Sequence, residues 1–367
     1  MNFKPKPILF LVLLNLFACA QDKNPVNTKN NYEVVVSDLD IPWGFTFLPD
    51  HSMLITEKDG RIIHYTNDKK IEIKNVPQVY NRGQGGLLDI ALHPEYETNG
   101  WVYFTYASSE GNSKGGNTAL MRAKLKNNSL IEKQLLYKAT PNTTRGQHFG
   151  SRIVFDDSGY LYFTIGERGN RDANPQDITR DGGKVYRLHD DGSIPNDNPF
   201  VNDPNAKKAI YSYGHRNPQG MTLHPRTREI WTHEHGPRGG DEINIIRSGK
   251  NYGWPVITYG INYIGTKITD ETSKPGMEQP FHYWDPSIAP SGMVFISSDK
   301  YKGWKGNLLV GSLKFQYLNN CYIKNNKVVK EERLLDGLGR VRSVNEGPDG
   351  YIYVGIENLG IVKLLKL

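Results

Sequence analysis

The stretch Ile153-Val154-Phe155-Asp156-Asp157-Ser158-Gly159-Tyr160-Leu161-Tyr162-Phe163-Thr164 holds the pattern that decides the fold. An apolar run stops at an acidic, glycine-containing turn, and a second run of aromatic and aliphatic residues follows. Branched and aromatic side chains suit a pleated surface, so two such runs around a short turn form a hairpin. The unit recurs. Phe45-Thr46-Phe47-Leu48-Pro49-Asp50 leads into Met53-Leu54-Ile55-Thr56, and Ile90-Ala91-Leu92-His93-Pro94 into Trp101-Val102-Tyr103-Phe104. Met221-Thr222-Leu223-His224-Pro225 precedes Glu229-Ile230-Trp231-Thr232, and Met293-Val294-Phe295-Ile296 precedes Asn307-Leu308-Leu309-Val310. The sixth copy runs from Val344 through Gly347-Pro348-Asp349-Gly350 to Tyr351-Ile352-Tyr353-Val354.

Six hairpins over roughly 335 residues allow about 56 residues per unit, the size of a four-stranded propeller blade. The expected fold is all-β, a six-bladed β-propeller over residues 32–367, with a large sandwich as the competing arrangement. No long amphipathic helical stretch argues for an α/β fold. Composition agrees: with 37 Gly, 21 Tyr and 13 Phe in 367 residues, 37% apolar and 23% charged, the chain can bury a large core and is not compositionally disordered.

Lys4 and Lys6 precede an apolar run from Ile8 to Ala18, too short to span a bilayer but the length of a signal-peptide core. The run ends in Leu16-Phe17-Ala18-Cys19, which resembles a bacterial lipobox. Residues 1–18 are therefore expected to be a lipoprotein-type signal peptide, Cys19 a lipid anchor and 19–31 a polar tether. Plain secretion is the alternative. The expected address is the periplasm or an outer-membrane anchor. Cys321 then has no partner in the chain, so disulfides do not hold the fold, and it reads as a buried small hydrophobe. The formal charge of +6 is spread out without a long Lys/Arg block, giving no support to a nucleic-acid partner or a membrane-surface role.

In a blade the innermost strand and its neighbour run antiparallel, so the start of the first and the end of the second share a rim. Before the first strands stand Gln84, His148, Arg216-Asn217 and Arg340-Val341-Arg342. After the second strands stand Gly166-Glu167, Glu234-His235-Gly236-Pro237 and Ser312-Leu313-Lys314. All map to one mouth of the channel. The cations there suit a multiply anionic small ligand, since the guanidinium fork matches carboxylate or phosphate. Glu167 falls close enough to His148 to accept an imidazole N–H, which would fix the tautomer and prepare the other nitrogen to take a proton. The loop Gly236-Pro237-Arg238-Gly239-Gly240-Asp241-Glu242 could present carbonyl and carboxylate oxygens to a hard cation such as calcium, or be only a turn.

Together these motifs resemble the soluble quinoprotein sugar dehydrogenases, six-bladed propellers that use pyrroloquinoline quinone (PQQ) and calcium, and above all their aldose sugar dehydrogenase branch. The resemblance runs from about Val36 to the C-terminus. It rests on Ile41-Pro42-Trp43-Gly44, Gly83-Gln84-Gly85-Gly86-Leu87-Leu88-Asp89, Gln147-His148-Phe149-Gly150, Gly214-His215-Arg216-Asn217-Pro218-Gln219-Gly220, His235-Gly236-Pro237 through Asp241-Glu242-Ile243-Asn244, Asn251-Tyr252-Gly253-Trp254-Pro255 and Arg340-Val341-Arg342. Each alone is weak; in this order they are specific.

The resemblance implies that His148 is the catalytic base, Glu167 the acid that orients it and Gln84 a substrate contact. It implies that Arg216, Asn217, Lys314, Arg340 and Arg342 hold the quinone and its carboxylates. The carbonyls of Gly236 and Pro237 would bind a cofactor-linked calcium with Asp241 nearby, and Glu242 and the Tyr252 carbonyl a second, structural calcium. Gln147 stands where the glucose-specific branch has an aspartate, and Glu167 replaces a shorter acid, which leaves sugar preference open. The implied activity is oxidation of an aldose at its anomeric carbon to a lactone, with an electron acceptor the sequence does not name. A calcium-dependent propeller lactonase and a noncatalytic binding propeller are the competing readings. The first would not need Arg340, Arg342 and Lys314 to face a tricarboxylate, and the second would not need His148 beside Arg216.

Overall fold

All six hairpins read from the sequence form, and each is the inner half of a four-stranded antiparallel sheet. The computed structural model describes residues 32–365, so the expected leader (1–18), Cys19 and the tether (19–31) lie outside the described residues. The innermost strands are Pro42–Phe47, Leu87–Leu92, Ile153–Phe155, Pro218–Leu223, Pro290–Phe295 and Val341–Glu346. Their partners are Met53–Glu57, Trp101–Ser108, Leu161–Ile165, Ile230–Glu234, Leu308–Ser312 and Ile352–Ile356. The first five blades each take two further strands from the sequence that follows. Neighbouring blades contact one another around the whole ring, the sixth returning to the first. The fold is a six-bladed β-propeller.

Hydrophobic pattern explains the stacking. The second strands of the first, third, fourth, fifth and sixth blades are buried at every residue, because a neighbouring blade covers each face. Every interface between blades has its own apolar core. Leu54 and Ile62 of the first blade meet Ile90 and Phe104 of the second. Tyr162 and Val185 of the third meet Met221 and Ile230 of the fourth. Cys321 is fully buried in the core between the fourth and fifth blades, where desolvation pushes its thiol well above the ordinary value. It behaves as the small hydrophobe expected. No helix among the described residues is long and apolar enough to cross a membrane.

The sixth blade closes the ring. Its third strand is Gly360–Leu364, and its outermost strand, Tyr32–Ser37, comes from the other end of the chain. Tyr32 pairs with Leu364 and Ser37 with Gly360, with a bulge between Val34 and Val36. The buried Val36 packs in the cluster that holds Phe45 and Ile55 of the first blade. Gly360 has φ 130°, and a Cβ there would lie 1.8 Å from the Val36 carbonyl oxygen, so only glycine fits. The repeat pattern contains no sign of this swap, since the outermost strand is a lone run far from its blade.

Closure should therefore govern the stability of the whole disc. Val36→Asp, which puts a carboxylate into that apolar cluster, is expected to lower unfolding stability by about 3 kcal/mol. Urea denaturation followed by tryptophan fluorescence measures it, and a loss below about 1 kcal/mol would remove the closing strand from the stability argument.

Candidate functional site

Hairpin register decides which side chains meet at the mouth. Pro42 lies opposite Glu57, Pro218 opposite Glu234 and Val341 opposite Ile356. The residue leading into a first strand thus stands beside the one that closes the second.

In the third blade this brings His148 to Glu167. The imidazole Nδ1–H donates to Glu167 Oε1, and the two side chains are 12% and 3% exposed. His148 has φ 58°, in the left-handed region, and its main-chain N–H donates to Gln84 Oε1 at 2.8 Å. Gln84 therefore holds the histidine's backbone through its carbonyl oxygen, leaving its amide nitrogen for another partner. Burial and the charge of Arg216 hold the imidazole below its ordinary value, against the upward pull of Glu167. At neutral pH the ring is uncharged, with Nε2 able to accept a proton.

Arg168 supports this loop from behind. Fully buried, it donates to the carbonyls of Gln147, of Arg145 at 2.8 Å and of Gly116 at 3.2 Å, and it lies 3.4 Å from the Phe149 ring centroid. Burial depresses its guanidinium to about 10. A cavity of about 330 Å³ opens in front, lined by Gln147, His148, Glu167, Arg216, Pro237 and Trp254.

The fourth blade supplies Arg216 and Asn217. The Arg216 N–H donates to Glu234 Oε2 at 2.5 Å, and its carbonyl accepts from the Glu167 N–H at 2.8 Å. Glu234 also accepts from His215 Nδ1–H at 2.9 Å. The Arg216 guanidinium donates to the carbonyls of His235 at 3.0 Å and Gly236 at 2.7 Å. Asn217 is fully buried; its Oδ1 accepts from the Gly150 N–H at 3.1 Å, while its Nδ2 has no partner among the described residues. The indole N–H of Trp254 is likewise without an acceptor. Two unpaired buried donors beside an arginine suit an acceptor-rich ligand.

In the sixth blade Arg340 and Arg342 converge, as expected, but on a carboxylate the sequence reading did not foresee. Arg340 Nε donates to Glu357 Oε2 at 2.8 Å and Arg342 Nε to Oε1 at 3.1 Å. The two arginines are thus partly neutralised before any ligand arrives. His235 shows that both arginine groups act at one mouth. Burial and the charges of Arg216 and, more weakly, His148 and Arg342 push it down to about 3. Lys58 joins them: it is depressed by burial and by Arg342, and its ammonium donates to Asn81 Oδ1 at 2.7 Å. Lys314 is exposed and follows Leu313, whose carbonyl accepts from Arg340 Nη1 at 3.3 Å; its own ammonium lies 4.8 Å from the Phe315 ring centroid.

The loop expected to hold cations divides in two. Asp241 is buried, and its oxygens accept from the Gly236 and Ala289 N–H groups, each at 2.7 Å, so it pins the loop. The Gly236 carbonyl is shared with Arg216, and that of Pro237 accepts from Ser287 Oγ at 3.2 Å. A cation at these two carbonyls would sit beside a guanidinium, an arrangement that needs an anion between them. Glu242 is different. It faces a small cavity of about 10 Å³, room for one water-sized body, which Arg216, Glu234, Tyr252 and Trp254 also line. Burial and the neighbouring Glu234 push Glu242 up from its ordinary value, against the Asn244 Nδ2 that donates to it at 3.3 Å. The carboxylates of Glu234 and Glu242 offer this cavity hard oxygen donors of the kind a cation takes. No three His, Cys, Asp or Glu side chains converge among the described residues, so such a site needs main-chain carbonyls as well.

Sequence reasoning overlooked Glu357, Lys58, Trp254 and Arg168. The first two were within reach: Glu357 and the Glu57-Lys58 pair follow the second strands of the sixth and first blades, where the rim rule was not applied. Trp254 lies on a quoted motif without a role, and nothing in the pattern distinguishes Arg168 from a surface arginine.

The family model described as Glucose / Sorbosone dehydrogenase matches residues 39–364. The chain is 42% identical over 332 residues to the Aldose sugar dehydrogenase YliI of Escherichia coli (strain K12), covering 88% of this chain and 89% of that protein. The crystal structure of the soluble aldose sugar dehydrogenase from Escherichia coli in the apo-form aligns with a TM-score of 0.86 at 40% identity, covering 91% of this chain and 98% of the other. The PQQ-bound form of an aldose sugar dehydrogenase from Streptomyces coelicolor aligns at 0.75 and 26% identity, over 90% and 96%. With the match spanning nearly the whole propeller, the chain belongs to the Glucose / Sorbosone dehydrogenase family and is a sugar dehydrogenase.

Proposed function

We propose that this protein oxidises aldoses at the anomeric carbon to lactones, with PQQ and calcium as cofactors. The observation that carries the reading is the His148–Glu167 pair opening on the same cavity as Arg216. Arg216, Asn217, Lys314, Arg340 and Arg342 would hold the quinone carboxylates, and Glu357 would keep the last two arginines aimed. When bound, PQQ supplies the two-electron acceptor for the hydride that leaves the anomeric carbon.

The protein's own part is placement, proton transfer and field. His148 Nε2 takes the proton of the anomeric hydroxyl, while Glu167 retains Nδ1–H and stabilises the imidazolium that forms. Arg216 is fixed by two carbonyl acceptors and directs its charge at the place where negative charge grows. Gln84 and Gln147 present amides to the sugar. The carbonyls of Gly236 and Pro237 are proposed as ligands of a calcium that arrives with the anionic cofactor, and Glu242 with the Tyr252 carbonyl as ligands of a second, structural ion. Asp241 serves the first of these by holding the loop. The electron acceptor that reoxidises the enzyme is unassigned. Export as a lipoprotein through Cys19 remains the proposal for location.

Three outcomes are expected. His148→Ala should lower kcat by about 10³-fold while leaving PQQ affinity within about 3-fold, read by dye reduction and quinone titration. An unchanged kcat would exclude His148 as the base. Glu167→Gln should lower kcat by roughly 10²-fold and move the acid limb of the pH–rate profile downward. Glu167 raises the imidazole's proton affinity, so removing its charge lowers that affinity, and the active neutral ring persists to lower pH. A shift upward would contradict the arrangement. Chelation followed by gel filtration should abolish reconstitution by PQQ until calcium is returned, and full activity in metal-free protein would refute the ion's role.

A further inference from the structure

The side chain of Arg152 enters the channel and is 7% exposed. Its Nη1 donates to Asp89 Oδ1 at 2.8 Å, its Nε to the Gln219 carbonyl at 2.7 Å and its Nη2 to the Arg342 carbonyl at 2.9 Å. Asp89 Oδ2 accepts from the Ile153 N–H at 2.9 Å, and the guanidinium stacks 4.3 Å from the Trp43 ring centroid. Those partners belong to the second, fourth, sixth, third and first blades. Five of six blades therefore meet on one ion pair. The fit is close: a Cβ on Gly44 would lie 2.6 Å from Asp89 Oδ1.

Four of the joined blades furnish most of the site, Lys314 of the fifth blade standing apart. Gln84 leads into the second, His148 into the third, Arg216 and Asn217 into the fourth, and Arg340 into the sixth. Arg152 and Asp89 line the cavity of about 610 Å³ at the opposite mouth, so they lie beneath the site and touch none of its reacting groups.

We infer that Arg152 and Asp89 are a positioning pair: one planar guanidinium fixes the relative placement of the four blades that present the base, the cofactor cations and the substrate glutamine. The pair takes no part in the chemistry. Stability alone is a poor reason for an ion pair in a channel, because a well-packed apolar substitute is often as stable. Geometry is a better one. Three acceptors in different blades need a rigid fork, which a lysine's point charge does not provide.

The test compares Arg152→Met, Arg152→Lys and Asp89→Asn with the wild type by two measurements. The first is hydrogen exchange on the cofactor-free protein. Amides of Leu87–Leu92, Ile153–Phe155, Pro218–Leu223 and Val341–Glu346 should lose protection together, by about 10-fold or more, while outer strands keep theirs. The second rests on the function proposed above: with PQQ and calcium added, quinone Kd should rise and aldose-dependent kcat fall, each by about 10-fold or more, and lysine should not rescue either. Should Arg152→Met fail to fold, Asp89→Asn carries the same expectations. Loss of protection confined to the third blade, rescue by lysine, or a folded variant with wild-type Kd and kcat would overturn the inference. A wild type that binds no PQQ would count against the functional reading alone, since the exchange result needs no cofactor.

Discussion

An antiparallel hairpin that ends at a channel mouth must put the residue before its first strand next to the residue closing its second, and this molecule uses that adjacency four times. Glutamates 57, 167, 234 and 357 stand at or just past the ends of second strands. Each grips the entrance of its own blade: Glu57 accepts from the Asp40 N–H at 3.2 Å, Glu167 from His148, Glu234 from His215 and the Arg216 N–H, and Glu357 from Arg340 and Arg342. One structural device, repeated around the ring, thus fixes His148 in one blade and the arginines in two others.

Burial makes this device effective and costly. A carboxylate or guanidinium taken out of water must be paired or hydrogen-bonded, since an isolated buried charge loses several kcal/mol of solvation. The mouth meets that demand with main-chain groups as often as with counter-charges. Arg216 rests on two carbonyls, Arg168 on three, and Asp241 on two N–H groups. Glu242 is where it is weakest, with one amide donor, Asn244 Nδ2 at 3.3 Å, set against burial and the neighbouring Glu234. The Nδ2 of Asn217 and the indole N–H of Trp254 nearby are donors that no described residue satisfies.

What the sequence revealed follows from which features are periodic. The inner hairpins repeat, so their turns and runs were legible, and with them the rim on which His148, Glu167 and Arg216 meet. The closing strand Tyr32–Ser37 was not, because it pairs with Gly360–Leu364 across the full length of the chain and no local pattern encodes so distant a partner. The two-residue spacing of Arg340 and Arg342 was legible, but their acid was missed although Glu357 stands just past the second strand of the sixth blade, where the rim rule would place it. Arg152 and Asp89 show the same limit. Each sits in or next to a readable segment, yet their meeting depends on a contact between blades 63 residues apart.

The field at the mouth links recognition to proton transfer. The Arg216 cation that suits an anionic cofactor also depresses His148, by an effect second only to burial. Without bound anions the imidazole is therefore a weak base, uncharged but reluctant to take a proton. Anionic groups placed against Arg216 would offset that cation and restore basicity where hydroxyl proton removal is needed. Glu167 cannot do this alone, since its pull is already outweighed. Under the proposed function the ligand's carboxylates would serve two ends at once: they would be the handles by which the cations hold it, and they would supply the negative potential that readies the histidine beside it.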